Sequence, residues 1–224
     1  GFFRNHSKLG EAMTINQENW IEHFQEHGYV AMEQVFSEKE VQRMRQEADA
    51  ILELILNSSN SLQRQSGRLD LVQNSEGYLV RKIQPIKDLS LYLSKVSEDP
   101  RLVEPMRTLM SEEPLLMEEK LNYKQPMPEL AFDFQTQPRY TDRFPVHNDW
   151  AYYRAQNYPQ AIISSAITLD DCPAESGPIH IWPGSHKQHL EHESIDIGLQ
   201  VKKDLLDFEG GEDLVLPAGS VAFF

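Results

Sequence analysis

In the stretch FPVHNDWAYY, residues 144–153, one residue separates an imidazole from a carboxylate, and three aromatic side chains follow within four residues. If the stretch is a strand, His147 and Asp149 point to the same face, because side chains alternate along a strand. Together they would supply two of the three ligands of the facial triad that holds Fe(II) with open coordination positions. A structural histidine in a strand and a solvated turn are the alternative interpretations. The H-x-D spacing alone leaves all three open.

The other histidines carry less information, since the chain has eight of them. His23 and His27 lie one turn apart on a predicted surface helix and flank its apolar positions, which favours solvent exposure. His186, His189 and His192 lie in the polar tract PGSHKQHLEHE. His-rich tracts can bind metal, but this spacing gives no clear coordination geometry, and exposure is again predicted.

The tract begins with PGSHK, which contains a serine and a histidine and so raises the question of nucleophilic catalysis. No nucleophile elbow and no acidic partner accompany these two residues. Pro-Gly-Ser is instead typical of a turn. We therefore predict no catalytic role for Ser185 or His186.

Composition restricts the possible partners. A formal net charge of −14 disfavours nucleic-acid binding, which needs clustered Lys and Arg, and it also disfavours an anionic membrane surface. The single cysteine, Cys172, forms no internal disulfide, so nothing requires an oxidising compartment. No apolar run is long enough to span a bilayer. We predict a cytoplasmic protein without nucleic-acid or membrane partners.

The elements that must position these residues begin with helices. A first helix, capped by Thr14 or Asn16, is predicted to end at Gly28; its apolar face carries Trp20, Ile21 and Phe24. A short strand, YVAMEQVF, follows it.

A second helix is predicted to begin with a capping box formed by Ser37 and Glu40 and to extend to about Leu56. The polar, Ser-rich segment at about 57–70 is predicted to be a mobile loop. A strand and a helix with proline in its first turn are expected after it, at GYLVRKIQPI and DPRLVEPMRTLM.

From residue 114 the chain consists of short β segments separated by Pro, Gly and Asp. Such spacing indicates a sandwich or barrel. We predict a mainly β fold with N-terminal helices followed by a jelly-roll-like β region. One domain is expected over 1–224, helical at about 14–112 and β at about 114–224. The predicted strands are PLLMEEKLNYKQ, LAFDFQTQ, FPVHND, QAIISSAITLD, GPIHIWPG, LQVKKDLL and DLVLPAGSVAFF.

Several motifs occur in an order that resembles one enzyme family. They are GYV…VFSEKEVQRMR, LNYKQP, HNDWAYY and AITLDDCPAESGPIHIWPGSHK. This series resembles the phytanoyl-CoA dioxygenase family of Fe(II)/2-oxoglutarate oxygenases, from about Trp20 to the end of the chain. The resemblance implies a double-stranded β-helix behind N-terminal helices. It also implies that His147 and Asp149 are the first two iron ligands and have a catalytic role.

The resemblance further suggests residues for the cosubstrate 2-oxoglutarate. Lys82 in RKIQPI and Asn122 in KLNYK match positions that in some relatives lie near it. If Asn122 points inward, Lys120 and Lys124 share its face by strand alternation. Exposed lysines on an edge strand are an equally good interpretation of this pattern.

Tyr152 and Tyr153 match aromatic residues that line the substrate entrance in the family. Packing on the rim of the barrel is the structural alternative for both. The family also has a third histidine ligand and an arginine for 2-oxoglutarate, neither of which matches a residue up to Phe224. We expect both beyond this position, in a longer chain.

The resemblance thus implies an Fe(II)- and 2-oxoglutarate-dependent dioxygenase that uses molecular oxygen to hydroxylate or otherwise oxidise a small molecule. Two other interpretations stay open. One is a non-catalytic jelly-roll binding protein, and the other is a different metal-dependent cupin enzyme.

Overall fold

The computed structural model describes residues 19–128 and 133–224. The helices are α1 (Trp20–His27), α2 (Glu38–Leu62), α3 (Leu91–Ser97), α4 (Pro100–Met110) and α5 (Trp150–Tyr153). The strands are β1 (Val30–Met32), β2 (Leu69–Asn74), β3 (Gly77–Ile83), β4 (Leu121–Pro126), β5 (Ser165–Ile167), β6 (His180–Ile181), β7 (His192–Ile195), β8 (Gly198–Val201), β9 (Glu212–Asp213) and β10 (Val221–Phe223).

All of the pairings between these strands are antiparallel. Two sheets have three strands each, in the orders β1-β10-β5 and β2-β3-β4, and β6-β9 and β7-β8 are two-stranded. The predicted combination of helices and β-sheets is confirmed. In the described ranges, no helix combines the length and apolar character needed to cross a bilayer.

The elements group into two compact units. Unit A takes the described residues up to 41 together with 100–114 and 144–224, and unit B takes 42–99 and 115–143. The single domain over 1–224 stays a prediction.

Unit B is built around α2 and the sheet β2-β3-β4. The inward face of α2 and alternate residues of the strands form one apolar cluster, in which Leu71, Val80 and Ile83 are fully buried. Two strands of unit B differ from the predicted pattern. β2 begins within the expected loop, and β4 has half the length of the predicted strand PLLMEEKLNYKQ.

The predicted loop at 57–70 was wrong in its bounds, because α2 continues to Leu62 and β2 begins before the loop was expected to end. Ser59 is fully buried. Its hydroxyl donates to the carbonyl of Ile55 at 2.8 Å and accepts from the backbone N–H of Ser66 at 3.0 Å. A serine that satisfies its hydroxyl within the helix in this way can be buried in it, which the Ser-rich composition concealed.

In unit A, α1 ends as predicted. Gly28 has φ 79°, in the left-handed region, and its N–H donates to the carbonyl of Phe24 at 2.7 Å. A side chain at Gly28 would also collide with the ring of His186, whose nearest atom lies 2.5 Å from the Cβ position. The proposed caps Thr14 and Asn16 lie outside the described residues.

The capping box of α2 is confirmed. Glu40 N–H donates to Ser37 Oγ at 3.2 Å, and Ser37 N–H donates to Glu40 Oε2 at 2.8 Å. Arg101 of α4 adds a two-pronged ion pair to the same carboxylate, with distances of 3.1 and 2.8 Å. The predicted helix with proline in its first turn is confirmed as α4.

The predicted exposure of His23 and His27 was wrong, since both are half-buried. Their ring centroids lie 4.5 Å apart, and the ring of His23 meets Tyr29 edge-on at 5.2 Å. Burial lowers the pKa of His23, and the neighbouring His27 lowers it further. The spacing of one helical turn correctly predicted that the two rings are neighbours. It did not predict their partial burial, which depends on the fold.

Candidate metal centre

His147 and Asp149 do not lie on a strand, contrary to the prediction for FPVHND. The residues before α5 have no strand pairing, and Asp149 already has the helical φ and ψ of −65° and −36°. The two side chains nevertheless converge, with His147 Nε2 3.5 Å from Asp149 Oδ1. The turn into α5 brings them together, where strand alternation had been expected to do so.

The backbone fixes the orientation and the tautomer of His147. Its Nδ1 lies 2.6 Å from the carbonyl oxygen of Pro145. A carbonyl can only accept, so Nδ1 carries the hydrogen, and Nε2 of the neutral ring is the donor atom for a metal. A backbone carbonyl in this position is the usual outer partner of a metal-binding histidine.

Ser164 holds the carboxylate of Asp149 in a corresponding way. Its hydroxyl donates to Asp149 Oδ2 at 2.7 Å. Ser164 itself is fixed by two backbone hydrogen bonds to Phe224, of 2.8 and 3.1 Å, which extend the β5-β10 pairing. With Oδ2 bound in this way, Oδ1 faces His147. Sequence reasoning missed Ser164, because nothing in QAIISSAITLD distinguishes it from its neighbours.

This pair fits a divalent metal ion. Two bonds of about 2.1 Å that meet at roughly 90–110° would place their donor atoms about 3.0–3.4 Å apart, close to the 3.5 Å between Nε2 and Oδ1. The side chains of His147 and Asp149 are 26% and 40% exposed, so a ligand can reach them. Within residues 19–128 and 133–224, no group of three His, Cys, Asp or Glu side chains could hold a metal ion.

Two histidines contact the same segment: His192, the first residue of the hairpin β7-β8, and His189, which precedes it. The backbone N–H of Asn148 donates to His192 Nε2 at 3.1 Å, and its side-chain nitrogen lies 3.2 Å from His189 Nδ1. The two imidazoles stack with centroids 5.4 Å apart. Both are half-buried, so their predicted exposure was wrong; burial is the main cause that lowers the pKa of each.

Tyr152 joins α5 to this hairpin. Its ring meets His147 edge-on with centroids 5.2 Å apart, and its hydroxyl accepts from Leu199 N–H at 3.0 Å. Gly198, at φ 136°, makes room for the contact, since a Cβ there would lie 2.6 Å from the Tyr152 hydroxyl oxygen. Tyr153 instead packs edge-on against Tyr158, with centroids 5.7 Å apart.

Lys82 and Asn122 lie in unit B, directly opposite each other in the β3-β4 register. The structure thus brings these two predicted cosubstrate residues together. Asn122, Lys120 and Lys124 are exposed, whereas Lys82 is half-buried, with Nζ 3.4 Å from Gln84 Oε1. Burial lowers the pKa of Lys82, and the nearby charge of Lys120 lowers it further.

Sequence comparison places the chain among characterised proteins. The profile of the phytanoyl-CoA dioxygenase (PhyH) family matches residues 24–224. The ectoine dioxygenase of Halomonas elongata is 22% identical over an alignment 222 positions long, which covers 91% of this chain and 61% of that enzyme. The ectoine dioxygenase of Bordetella bronchiseptica is 23% identical over an alignment 236 positions long, which covers 97% of this chain and 69% of that one.

Solved structures share the fold. EctD from S. alaskensis, crystallised with 2-oxoglutarate and 5-hydroxyectoine, has a TM-score of 0.66 at 19% identity, over 93% of this chain and 67% of that one. The epimerase SnoN, in complex with Fe3+, alpha ketoglutarate and nogalamycin RO, has a TM-score of 0.58 at 16% identity, over 92% and 72%.

The family profile covers most of the chain. The matched residues include His147 and Asp149, the predicted pair, whose Nε2 and Oδ1 atoms converge. The family resemblance seen in the sequence is confirmed. The chain belongs to the phytanoyl-CoA dioxygenase family.

Proposed function

We propose that this chain carries the iron-binding part of an Fe(II)- and 2-oxoglutarate-dependent dioxygenase that hydroxylates or otherwise oxidises a small molecule. The approach of His147 Nε2 to Asp149 Oδ1 at 3.5 Å, in a chain of this family, carries the proposal. The chain spans 61% of the length of the Halomonas relative, so the activity of the whole protein belongs to the proposal as well. The proposed architecture of the short antiparallel strands is a jelly roll.

In this proposal, His147 and Asp149 bind Fe(II) through Nε2 and Oδ1. When bound, the metal and 2-oxoglutarate together supply the activation of molecular oxygen that oxidises the substrate. The chain's own contribution is orientation. The carbonyl of Pro145 keeps the hydrogen of His147 on Nδ1, and the Ser164 hydroxyl keeps Asp149 Oδ2 occupied. Both contacts direct the two donor atoms toward one point.

Lys82 and Asn122 are the proposed contacts of the 2-oxoglutarate carboxylates. Their opposed positions in the sheet support this, because a cation and an amide side by side can both donate to one carboxylate. The lowered pKa of Lys82 also supports it, since burial and the repulsion from Lys120 both favour a bound anion.

Tyr152 and Tyr153 are the proposed substrate contacts at the start of α5. Tyr152 would contact the substrate through its ring, because its hydroxyl accepts from Leu199 N–H. A cytoplasmic location remains the prediction from a chain with one cysteine.

The test uses the full-length protein with Fe(II), 2-oxoglutarate and oxygen, and measures succinate. Ectoine is the first substrate to try, because the relatives are ectoine dioxygenases. We expect succinate release that requires added Fe(II) and that is lost in His147→Ala. The control variant His186→Ala changes an exposed histidine of the same unit and should release succinate normally.

Two results would contradict this proposal, and each would favour one of the alternative functions. A protein that binds a divalent metal at His147 and Asp149 but releases no succinate with any substrate would favour another metal-dependent cupin enzyme. A protein that binds no metal would favour the non-catalytic binding protein.

The proposed cosubstrate contacts are tested separately. Lys82→Met keeps the length of the side chain and removes its charge, so it should raise the KM for 2-oxoglutarate about 10-fold or more without changing Fe(II) affinity. The matched control is Lys87→Met, an exposed lysine of the same unit. Equal KM values for both variants would remove Lys82 from the site.

A further inference from the structure

The segment that carries His147 and Asp149 has no strand pairing, yet one element holds it at several points through backbone and side-chain hydrogen bonds. The hairpin β7-β8 contacts it at three places along its length. Val201 N–H donates to the carbonyl of Val146 at 2.8 Å. At the other end, the Tyr152 hydroxyl accepts from Leu199 N–H at 3.0 Å.

The third contact lies between the two proposed ligands. The residue that separates them is Asn148, and its N–H donates to His192 Nε2 at 3.1 Å. Within residues 19–128 and 133–224, His192 is the side chain that accepts from this N–H. A rotation of this peptide would move His147 relative to Asp149, because the peptide joins His147 to Asn148, the residue that directly precedes Asp149.

His192 is itself prepared to accept this hydrogen bond. Its Nδ1 lies 2.8 Å from the carbonyl oxygen of Leu190, and that carbonyl can only accept. Nδ1 therefore carries the hydrogen, and Nε2 presents its lone pair to Asn148. The stacked ring of His189 supports one face of the imidazole, at a centroid distance of 5.4 Å.

From this geometry we propose that His192 is a positioning residue, which fixes the peptide between His147 and Asp149 and so sets the separation of their metal-binding atoms. The consequence for metal affinity rests on the proposed function, whereas the consequence for the Asn148 peptide does not. Outer contacts of this kind typically change metal affinity 10- to 100-fold when they are removed. His192 belongs to the tract whose polar composition had indicated exposure to solvent.

The test compares two amide substitutions in the full-length protein. In His192→Gln the side chain is long enough to place its oxygen near the position of Nε2, so it can accept from Asn148 N–H. In His192→Asn the side chain is polar but too short to reach. Ser194→Ala, an exposed change on the same strand, is the control for the hairpin.

The first measurement is hydrogen exchange of the Asn148 amide in metal-free protein. We expect faster exchange, by about 10-fold or more, in His192→Asn, and near wild-type exchange in His192→Gln and Ser194→Ala. The second is the Kd for Fe(II) under anaerobic conditions, which should rise about 10- to 100-fold in His192→Asn only. A purely structural role would affect thermal unfolding of the two amide variants alike.

Wild-type exchange and wild-type Kd in His192→Asn would overturn the proposal, and so would equal losses in His192→Asn and His192→Gln. If wild-type protein binds no Fe(II), the proposed function fails. In that case the exchange of the Asn148 amide by itself decides whether His192 holds the peptide.

Discussion

Unit B and the segment around His147 are held by different kinds of interaction. Unit B has an apolar core, in which Leu71, Val80 and Ile83 are fully buried. The side chains of His147 and Asp149 are 26% and 40% exposed, and their positions depend on hydrogen bonds to Pro145 O and Ser164 Oγ. The first arrangement stabilises the fold through buried area. The second contributes little to folding but fixes the direction of the two proposed donor atoms. We therefore expect fold stability and donor geometry to respond to different substitutions.

The largest effect is expected from Asp149→Ala, which removes one of the two proposed donors. We expect Fe(II) affinity and succinate release to fall at least about 100-fold. The free energy of unfolding should change by about 1 kcal/mol or less, because the side chain is partly exposed. Anaerobic metal titration and thermal unfolding measure the two quantities. Asp196→Ala, an exposed carboxylate between β7 and β8, is the control, and equal metal binding by both variants would contradict the site.

A substitution in the core of unit B should lower the stability of the fold and leave Fe(II) affinity unchanged. Leu71→Ala removes a fully buried side chain and should lower the free energy of unfolding by about 2–5 kcal/mol, through lost transfer energy and the cavity left behind. Fe(II) affinity of the folded protein should stay unchanged. Urea unfolding tests this against Leu91→Ala, whose side chain is 74% exposed. A large loss of metal affinity in folded Leu71→Ala would mean that core packing and donor geometry are not separable.

Ser164→Ala tests the hydrogen-bonded arrangement without removing a donor. The loss of the 2.7 Å bond to Asp149 Oδ2 frees the carboxylate to rotate, and the Kd for Fe(II) should rise about 10-fold. Ser165→Ala, at the first residue of β5, is the control. An unchanged Kd in Ser164→Ala would show that other contacts are enough to hold Asp149.

The smallest effect concerns the surface of unit A. The Arg101 guanidinium and the Ser37 N–H hold the pKa of Glu40 at about 2, below the usual 4.5. A lowered carboxylate pKa stabilises the fold above the unfolded value, and this stabilisation is lost as pH falls from about 4.5 to about 2.

Glu40→Gln should remove this dependence on pH, with an effect below about 1 kcal/mol at neutral pH because the pair is solvent-exposed. Thermal unfolding at a series of pH values measures it. Glu38→Gln, an exposed change in the same helical turn, is the comparison, and it should keep the wild-type pH profile. The same profile for Glu40→Gln would contradict the prediction.

Local sequence patterns predicted the features that local physics controls. A glycine with positive φ ends α1, and a serine and a glutamate three residues apart begin α2. The strand at Gly77–Ile83 and the helix at Pro100–Met110 also follow from nearest-neighbour preferences and apolar periodicity. The order of the motifs was enough to identify the family, and it indicated His147 and Asp149 as the proposed iron ligands.

The features that the sequence could not predict depend on partners far along the chain. Ser59 is buried because its hydroxyl bonds to Ile55 and Ser66. His192 is half-buried because the fold brings it to Asn148, 44 residues away in the chain. Ser164 faces Asp149 because β5 pairs with β10. A polar residue at an exposed position and one at a satisfied, buried position look the same in a sequence.

By itself, then, the sequence determined the end of α1, the start of α2, the strand β3, the helix α4 and the family. It also indicated His147 and Asp149 as the proposed donor residues. The positions of these helices and of the strand depend on residue types at short spacing, and the family depends on the order of the motifs along the chain. Tertiary structure alone decided how the donors meet, through a turn into α5 at 3.5 Å and not through strand alternation. It also decided which serine and which histidine hold them, because a hydrogen bond needs its two atoms within about 3 Å, and only the folded chain brings them that close.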